Sequence, residues 1–295
     1  MSNLTEESTR QEFINLIETV KDNKFYPITS NNNSQRNILK FATFNVAQAE
    51  EKKIMINQWD NRFQKVVDLI NNCGADIIAL QGLRNLETSK VGVKEFLNKL
   101  KLDHAYQYYC EYNVAFCAAI LYNRSKYYPV DFHQFHYHGT PQNDRICFGA
   151  KFKCVSSEKY VWVFTTHLDL EEKKKWQSVD RLIKEFDEKH RDPEPIVIGG
   201  NFNFFDDLEG IQQREKMLEW FEDFAYPLEG LSGTFLGFDH DPEKKEIDAM
   251  FRIDHIFCKN VKKVGQAKPV GVTKDLLENR TYPSRHIMIT VEIEF

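Results

Sequence analysis

Asn45, Gln81, Gly82, His167, Asn201, Asn203, Asp254, Arg285 and His286 fall at the ends of apolar runs or just beyond them. Asn45 closes ILKFATFN, Gln81 and Gly82 close DIIALQG, and His167 closes YVWVFTTH. Asn201 and Asn203 follow PIVIGG, Asp254 lies in RIDHIF, and Arg285 and His286 open the final run. Amides, imidazoles, one carboxylate and one guanidinium are groups that orient a nucleophile or hold an anion. Collected at strand ends, on loops held by a rigid scaffold, they are a common way to build a site. A lone histidine at a strand end is usually an ordinary polar residue, so the weight rests on the set.

The elements that must position these residues follow from apolar periodicity. ILKFATFNVA, DIIALQ, CAAILY, RICFGAKFKC, YVWVFTTH, PIVIGG and RIDHIFCK read as strands. HIMITVEIEF alternates Ile287, Ile289, Val291, Ile293 and Phe295 with more polar neighbours, a half-buried final strand. Between the first two runs, residues 58–73 place Trp59, Phe63, Val66, Val67 and Ile70 on one helical face. A second helix, between YVWVFTTH and PIVIGG, presents Trp176, Val179, Leu182, Ile183 and Phe186. Residues 4–22 read as a short amphipathic helix, followed by the polar stretch SNNNSQRN. The chain therefore divides into an N-terminal arm and linker over 1–37 and one domain over 38–295, with more strand than helix and two packed sheets expected.

Composition narrows the function classes. With 42% hydrophobic and 28% charged residues, the chain can bury a sizeable core. A net charge of -5 gives no global attraction to phosphate backbones, so nucleic acid would need a local basic patch. The six cysteines show no CxxC pair and no zinc spacing, and read as buried thiols. The polar start MSNLTEESTRQEF is unlike a signal peptide, and no apolar run reaches the ~20 residues that span a bilayer. A soluble, cytoplasmic protein is expected. His133, His136 and His138 in FHQFHYH alternate at strand spacing and read as a surface strand or loop rather than a metal site.

In order and rough spacing, TFN, LQG, THLD, GGNFN, RIDHIF and SRH resemble the motifs of the endonuclease/exonuclease/phosphatase family, the DNase I-like fold. The likeness runs over about residues 38–295. It implies an α+β fold, a four-layer α/β/β/α sandwich of two packed mixed sheets flanked by helices. It also implies phosphoester hydrolysis with Mg²⁺ or a similar ion, on substrates from DNA and RNA to inositol phosphates and sphingomyelin. By this resemblance Asn45 stands near the metal, while Asn203 and His167 contact the phosphate or leaving group. Asp254 and His286 form the pair at the scissile phosphate.

The departures bear on the chemistry. The family's LQE glutamate, a metal ligand, is here Gly82. The aspartate of GDFN, which positions the attacking water, is Asn201, and the middle residue of SDH is Arg285. Mg²⁺ takes hard oxygen ligands, usually with one or two carboxylates, and glycine offers no side chain. An arginine ~4 Å away repels the ion by about 4 kcal/mol per unit charge at an effective dielectric of ~20. An amide at position 201 can orient water but cannot take its proton. Glu50, Glu51, Glu87, Asp206 and Asp207 lie close in sequence as possible substitute ligands, although solvated loop charges or helix caps describe them better.

These substitutions favour a catalytically impaired member that binds a phosphate-bearing ligand, nucleic acid or small phosphoester, or a protein partner. Arg285, in the room left by Gly82, would take over part of the ion's electrostatic work by binding phosphate bidentately. The competing reading is an active Mg²⁺-dependent phosphodiesterase with a rearranged site. In a third, the cleft is vestigial and the N-terminal helix or a surface patch makes the interactions. The aromatic segment AYQYYCEYNVAF could stack bases or contact lipid, but Tyr and Phe at such density are more often core and rim packing.

Overall fold

The computed structural model describes residues 37–48, 59–83, 96–97, 99–100, 104–109, 117–138, 145–190, 193–236, 251–272 and 283–295. The N-terminal arm, AYQYYCEYNVAF beyond residue 109 and up to 116, and the acids Glu50, Glu51 and Glu87 lie outside them.

The strands are β1 (Ile38–Asn45), β2 (Ile77–Leu83), β3 (His104–Tyr109), β4 (Cys117–Asn123), β5 (Tyr127–His136) and β6 (Ile146–Cys154). They continue as β7 (Tyr160–His167), β8 (Ile196–Asn201), β9 (Glu222–Asp223), β10 (Asp254–Lys259), β11 (Lys262–Val270) and β12 (Met288–Glu294). The helices among the described residues are α1 (Trp59–Asn72), α2 (Glu172–Lys189) and α3 (Leu208–Leu218). One six-stranded sheet runs β11-β12-β1-β2-β4-β3 and the other β5-β6-β7-β8-β10-β9. Each is mixed: β1–β2 and β7–β8 are parallel and the remaining pairs antiparallel.

Alternation along the strands builds the layers, because successive side chains take opposite faces. In β1, Leu39 and Phe41 face the second sheet, joining Ile77, Ile120, Phe148 and Val163. Ala42 and Phe44 belong to the other layer, packed with Trp59, Val66 and Ile70 of α1. Trp162, Phe164 and Ile198 close over Val179, Leu182 and Phe186 of α2. Three stacked apolar layers between four layers of elements are the expected α/β/β/α sandwich.

The helices differ from their periodic reading at one position each, and both differences have functional weight. On α1, Arg62 is buried while Phe63 is half-buried. On α2, Lys175 is buried and Trp176 is half-buried, with Lys216 Nζ 5.7 Å from its ring centroid. Periodicity cannot foresee a buried cation, because burial of a charge depends on partners distant in sequence.

The FHQFHYH segment also departs from a surface strand. His133 faces α2, its Nδ1 2.9 Å from His190 Nε2 and its Nε2 3.5 Å from the Glu185 carboxylate. His190 caps α2 and packs against Trp162 and Phe186. The cysteines that can be assessed, Cys73, Cys147, Cys154 and Cys258, are free thiols, as expected.

Two predictions follow from this packing. A Cβ on Gly149 would overlap the Phe164 ring, so Gly149→Ala should destabilise the fold by about 1–3 kcal/mol through overpacking, read by denaturant unfolding. Burial holds His190 down at about 4 and also lowers His133. The unfolded chain binds protons these rings refuse, so stability should be full above about pH 6.5 and fall as pH drops towards 4. Melting temperatures across that window test this, and His190→Phe should flatten the slope.

Candidate active site

Register brings the predicted residues to one end of the sandwich. Asn45 pairs with Gln81 across β1 and β2, and Asn201 pairs with His167 on one side and Asp254 on the other. Beneath them, the fully buried Gln81 amide joins the sheets. Its Nε2 donates to Thr43 Oγ1 at 3.1 Å and to Thr165 Oγ1 at 2.9 Å, while Thr165 Oγ1 donates to Leu80 O at 3.2 Å.

His286 and Asp254 form a buried couple, with His286 Nδ1 2.9 Å from Asp254 Oδ2 and 3.1 Å from Oδ1. Thr234 Oγ1 donates to Asp254 Oδ2 at 2.8 Å and accepts from Asp254 N at 3.2 Å. Thr234 therefore fixes the carboxylate that fixes the imidazole. Ser284 Oγ donates to Asn45 O at 2.6 Å and accepts from His286 N at 3.2 Å, tying the last motif to the first.

On the other sheet, Asn201 Oδ1 accepts from Asn203 N at 3.0 Å, and Asn201 Nδ2 stands 3.3 Å from His167 Nε2. Asn203 adopts φ +53°, a left-handed conformation that asparagine tolerates better than most residues. Its Nδ2 donates to Leu168 O at 2.9 Å, and the buried Lys175 Nζ donates to its carbonyl at 2.8 Å. Burial, then the Arg145 cation, then His286 push the His167 imidazole well below its ordinary value. The lowered imidazole is held in its neutral form, and in the tautomer protonated at Nδ1 its Nε2 accepts from the Asn201 amide.

At Gly82, where the resemblance implies a glutamate, a side chain meets atoms already in place. Gly82 has φ +71°, and a Cβ there would overlap Asn45 Oδ1 and stand 2.9 Å from Ala47 N. Asn45 Oδ1 is committed to Ala47 N at 2.9 Å, holding Ala47 at φ +50°. The expectation that Arg285 occupies the room left by Gly82 is therefore corrected. The Asn45 amide fills that space, and the Arg285 guanidinium stacks 5.0 Å from the centroid of Phe235, whose ring lies 5.1 Å from His286. Burial lowers Arg285 to about 10, which leaves it a cation at neutral pH.

Among the described residues the donor set does not suit Mg²⁺. The Asn45 and Asn201 oxygens already accept backbone N–H groups, Gly82 offers nothing, and Asp254 is engaged by His286 and Thr234. Asp207 caps α3 through Gly210 N at 2.7 Å, and Asp206 lies 3.6 Å from Arg214. Among the described residues, no group of three or more His, Cys, Asp or Glu side chains is placed to hold a metal ion.

Sequence reasoning missed Arg62, which braces the site. Its Nη1 donates to Val46 O at 2.7 Å and Pro283 O at 2.8 Å, its Nη2 donates to Ala47 O, and it lies 5.1 Å from the Trp59 ring centroid. One buried guanidinium thus cross-links the loops carrying the first and last motifs. Thr234, Ser284 and Lys175 were missed as well. The only signal for Arg62 was a charge at an otherwise apolar helical position.

The family model described as "Endonuclease/Exonuclease/phosphatase family" matches residues 42–286, and the chain belongs to that family. No curated protein matches it significantly. Among solved structures, a family member from Bacteroides thetaiotaomicron is 22% identical, with TM-score 0.70, covering 88% of this chain and 99% of that one. A mannosyl-6-phosphatase from the same organism is 21% identical, with TM-score 0.69, covering 87% and 100%. TDP2 from D. rerio, complexed with a single-strand DNA product, is 14% identical, with TM-score 0.66, covering 88% and 99%. At these identities the likeness establishes the shared fold.

Arg62→Met should leave the buried Val46 and Ala47 carbonyls and the half-buried Pro283 carbonyl without their donor and cost about 3 kcal/mol or more. Denaturant unfolding of the variant measures it, and a loss below about 1 kcal/mol would show that the brace is dispensable.

Proposed function

We propose that this chain is a catalytically impaired member of its family that binds a phosphate-bearing ligand in the cleft without a metal ion. The observation that carries the reading is the contact at Gly82: the space for a ligand carboxylate is taken by the Asn45 amide. A Gly82→Glu change alone would need both a left-handed glutamate and displacement of Asn45, so a simple reversion would not rebuild a cation site. Asn201 supports the same reading, since an amide can orient water but cannot take its proton.

Anion binding draws support from what the site retains. Arg285 carries a fixed positive charge beside His286, and the Asp254 carboxylate orients the imidazole. A guanidinium next to an imidazole donor set suits phosphate, and an Arg–phosphate pair supplies charge-assisted hydrogen bonds. The phosphatase and DNA-product names among the structural neighbours fit a cleft suited to phosphate. The intact His286–Asp254–Thr234 unit favours, as a second reading, residual phosphoester hydrolysis by a rearranged site.

Calorimetric titration of inorganic phosphate in EDTA tests the proposal. Saturable binding, weakened about tenfold or more by Arg285→Gln, is expected for loss of a charge-assisted pair. No binding by the natural chain would overturn it. In parallel, a generic phosphodiester with Mg²⁺ should show no turnover; turnover abolished by His286→Gln would replace this reading with the second.

A further inference from the structure

Three phenylalanines stand in a row beside the His286–Asp254 couple. Phe205 meets Phe251 edge-on at a centroid distance of 5.4 Å, Phe251 lies 6.4 Å from Phe235, and Phe235 lies 5.1 Å from His286. The backbone fixes the row, because Phe235 bridges to both Phe251 and His286. All three rings are only half-buried, whereas Phe202 and Phe204, close to Phe205 in the chain, are sealed in the core. A cation sits at each end: Lys175 Nζ is 5.2 Å from the Phe205 centroid, and the Arg285 guanidinium is 5.0 Å from that of Phe235.

Leaving apolar ring area in water costs about 25 cal/mol per Å², and a flat ring laid against the open area of this row recovers part of that cost. Aromatic faces take such rings by stacking, which is tolerant of the ring's exact identity. We propose that the cleft takes a small phosphate ester whose alcohol carries a flat ring, with phosphate at Arg285 and His286 and the ring along Phe235, Phe251 and Phe205. The inference rests on the phosphate-binding reading and adds the ligand's class to it. A net charge of -5 offers a polyanion no long-range attraction, which points to a small ester rather than a polymer.

The experiment compares inorganic phosphate, ribose phosphate, adenosine monophosphate and phenyl phosphate by calorimetry on the full chain in EDTA. The ring-bearing esters should bind about tenfold or more tightly than ribose phosphate. The better of the two distinguishes a nucleotide from an aryl phosphate source, and either supports the inference. Phe251→Leu and Phe205→Leu, at separate positions and nearly volume-conserving, should each erase most of that gain while leaving the affinity for inorganic phosphate unchanged. Equal binding of ribose phosphate and both ring-bearing esters, or a ring preference that survives in both variants, would overturn the inference. Absence of any phosphate binding would instead overturn the reading beneath it.

Discussion

A single buried amide, Gln81, joins the two sheets at the level of the site, and the spacing of everything above it depends on that junction. Its Nε2 reaches Thr43 within its own sheet and Thr165 on the other. A buried amide is costly unless satisfied, so both hydroxyls hold the strand ends in place. Parallel pairing of β1 with β2 and of β7 with β8 then sets Asn45 beside Gln81 and His167 beside Asn201. The polar cluster is thus a consequence of register, and a slip of one residue would turn its members to other faces.

On that platform, in the proposed reading, the chain keeps one half of the family's chemistry, the His286–Asp254 couple, and loses the other. The retained half is the His286–Asp254 couple, fixed by Thr234 and joined through Ser284 to the first motif. The closed half is the cation position, where a left-handed glycine and the Asn45 amide occupy each other's space. Arg62 supplies cross-linking from within, holding carbonyls of both motif loops with one guanidinium. A protein cation bonded to main-chain oxygens stabilises the loops but does not activate water.

Much of this was legible in the sequence because strands and motif positions are local patterns. The alternation in HIMITVEIEF and the apolar runs ending in Asn45, His167 and Asn201 gave the strands, whose register sets these residues side by side. What stayed hidden was the non-local part. Nothing local distinguishes Arg62 or Lys175 from a solvated helical charge, since their partners are loop carbonyls brought near only by folding. Gly82 was legible as a missing carboxylate, yet its positive φ and the amide lying against it were not. That distinction moved Arg285 from the expected cavity onto Phe235.

The most direct test of a closed cation position is electron paramagnetic resonance of Mn²⁺ titrated with the natural chain. The signal of free Mn²⁺ should persist undiminished as protein is added in excess, because no carboxylate set among the described residues is placed to take the ion. Stoichiometric loss of that signal, reversed by competing Mg²⁺, would contradict the account and show that the cleft assembles a metal site after all.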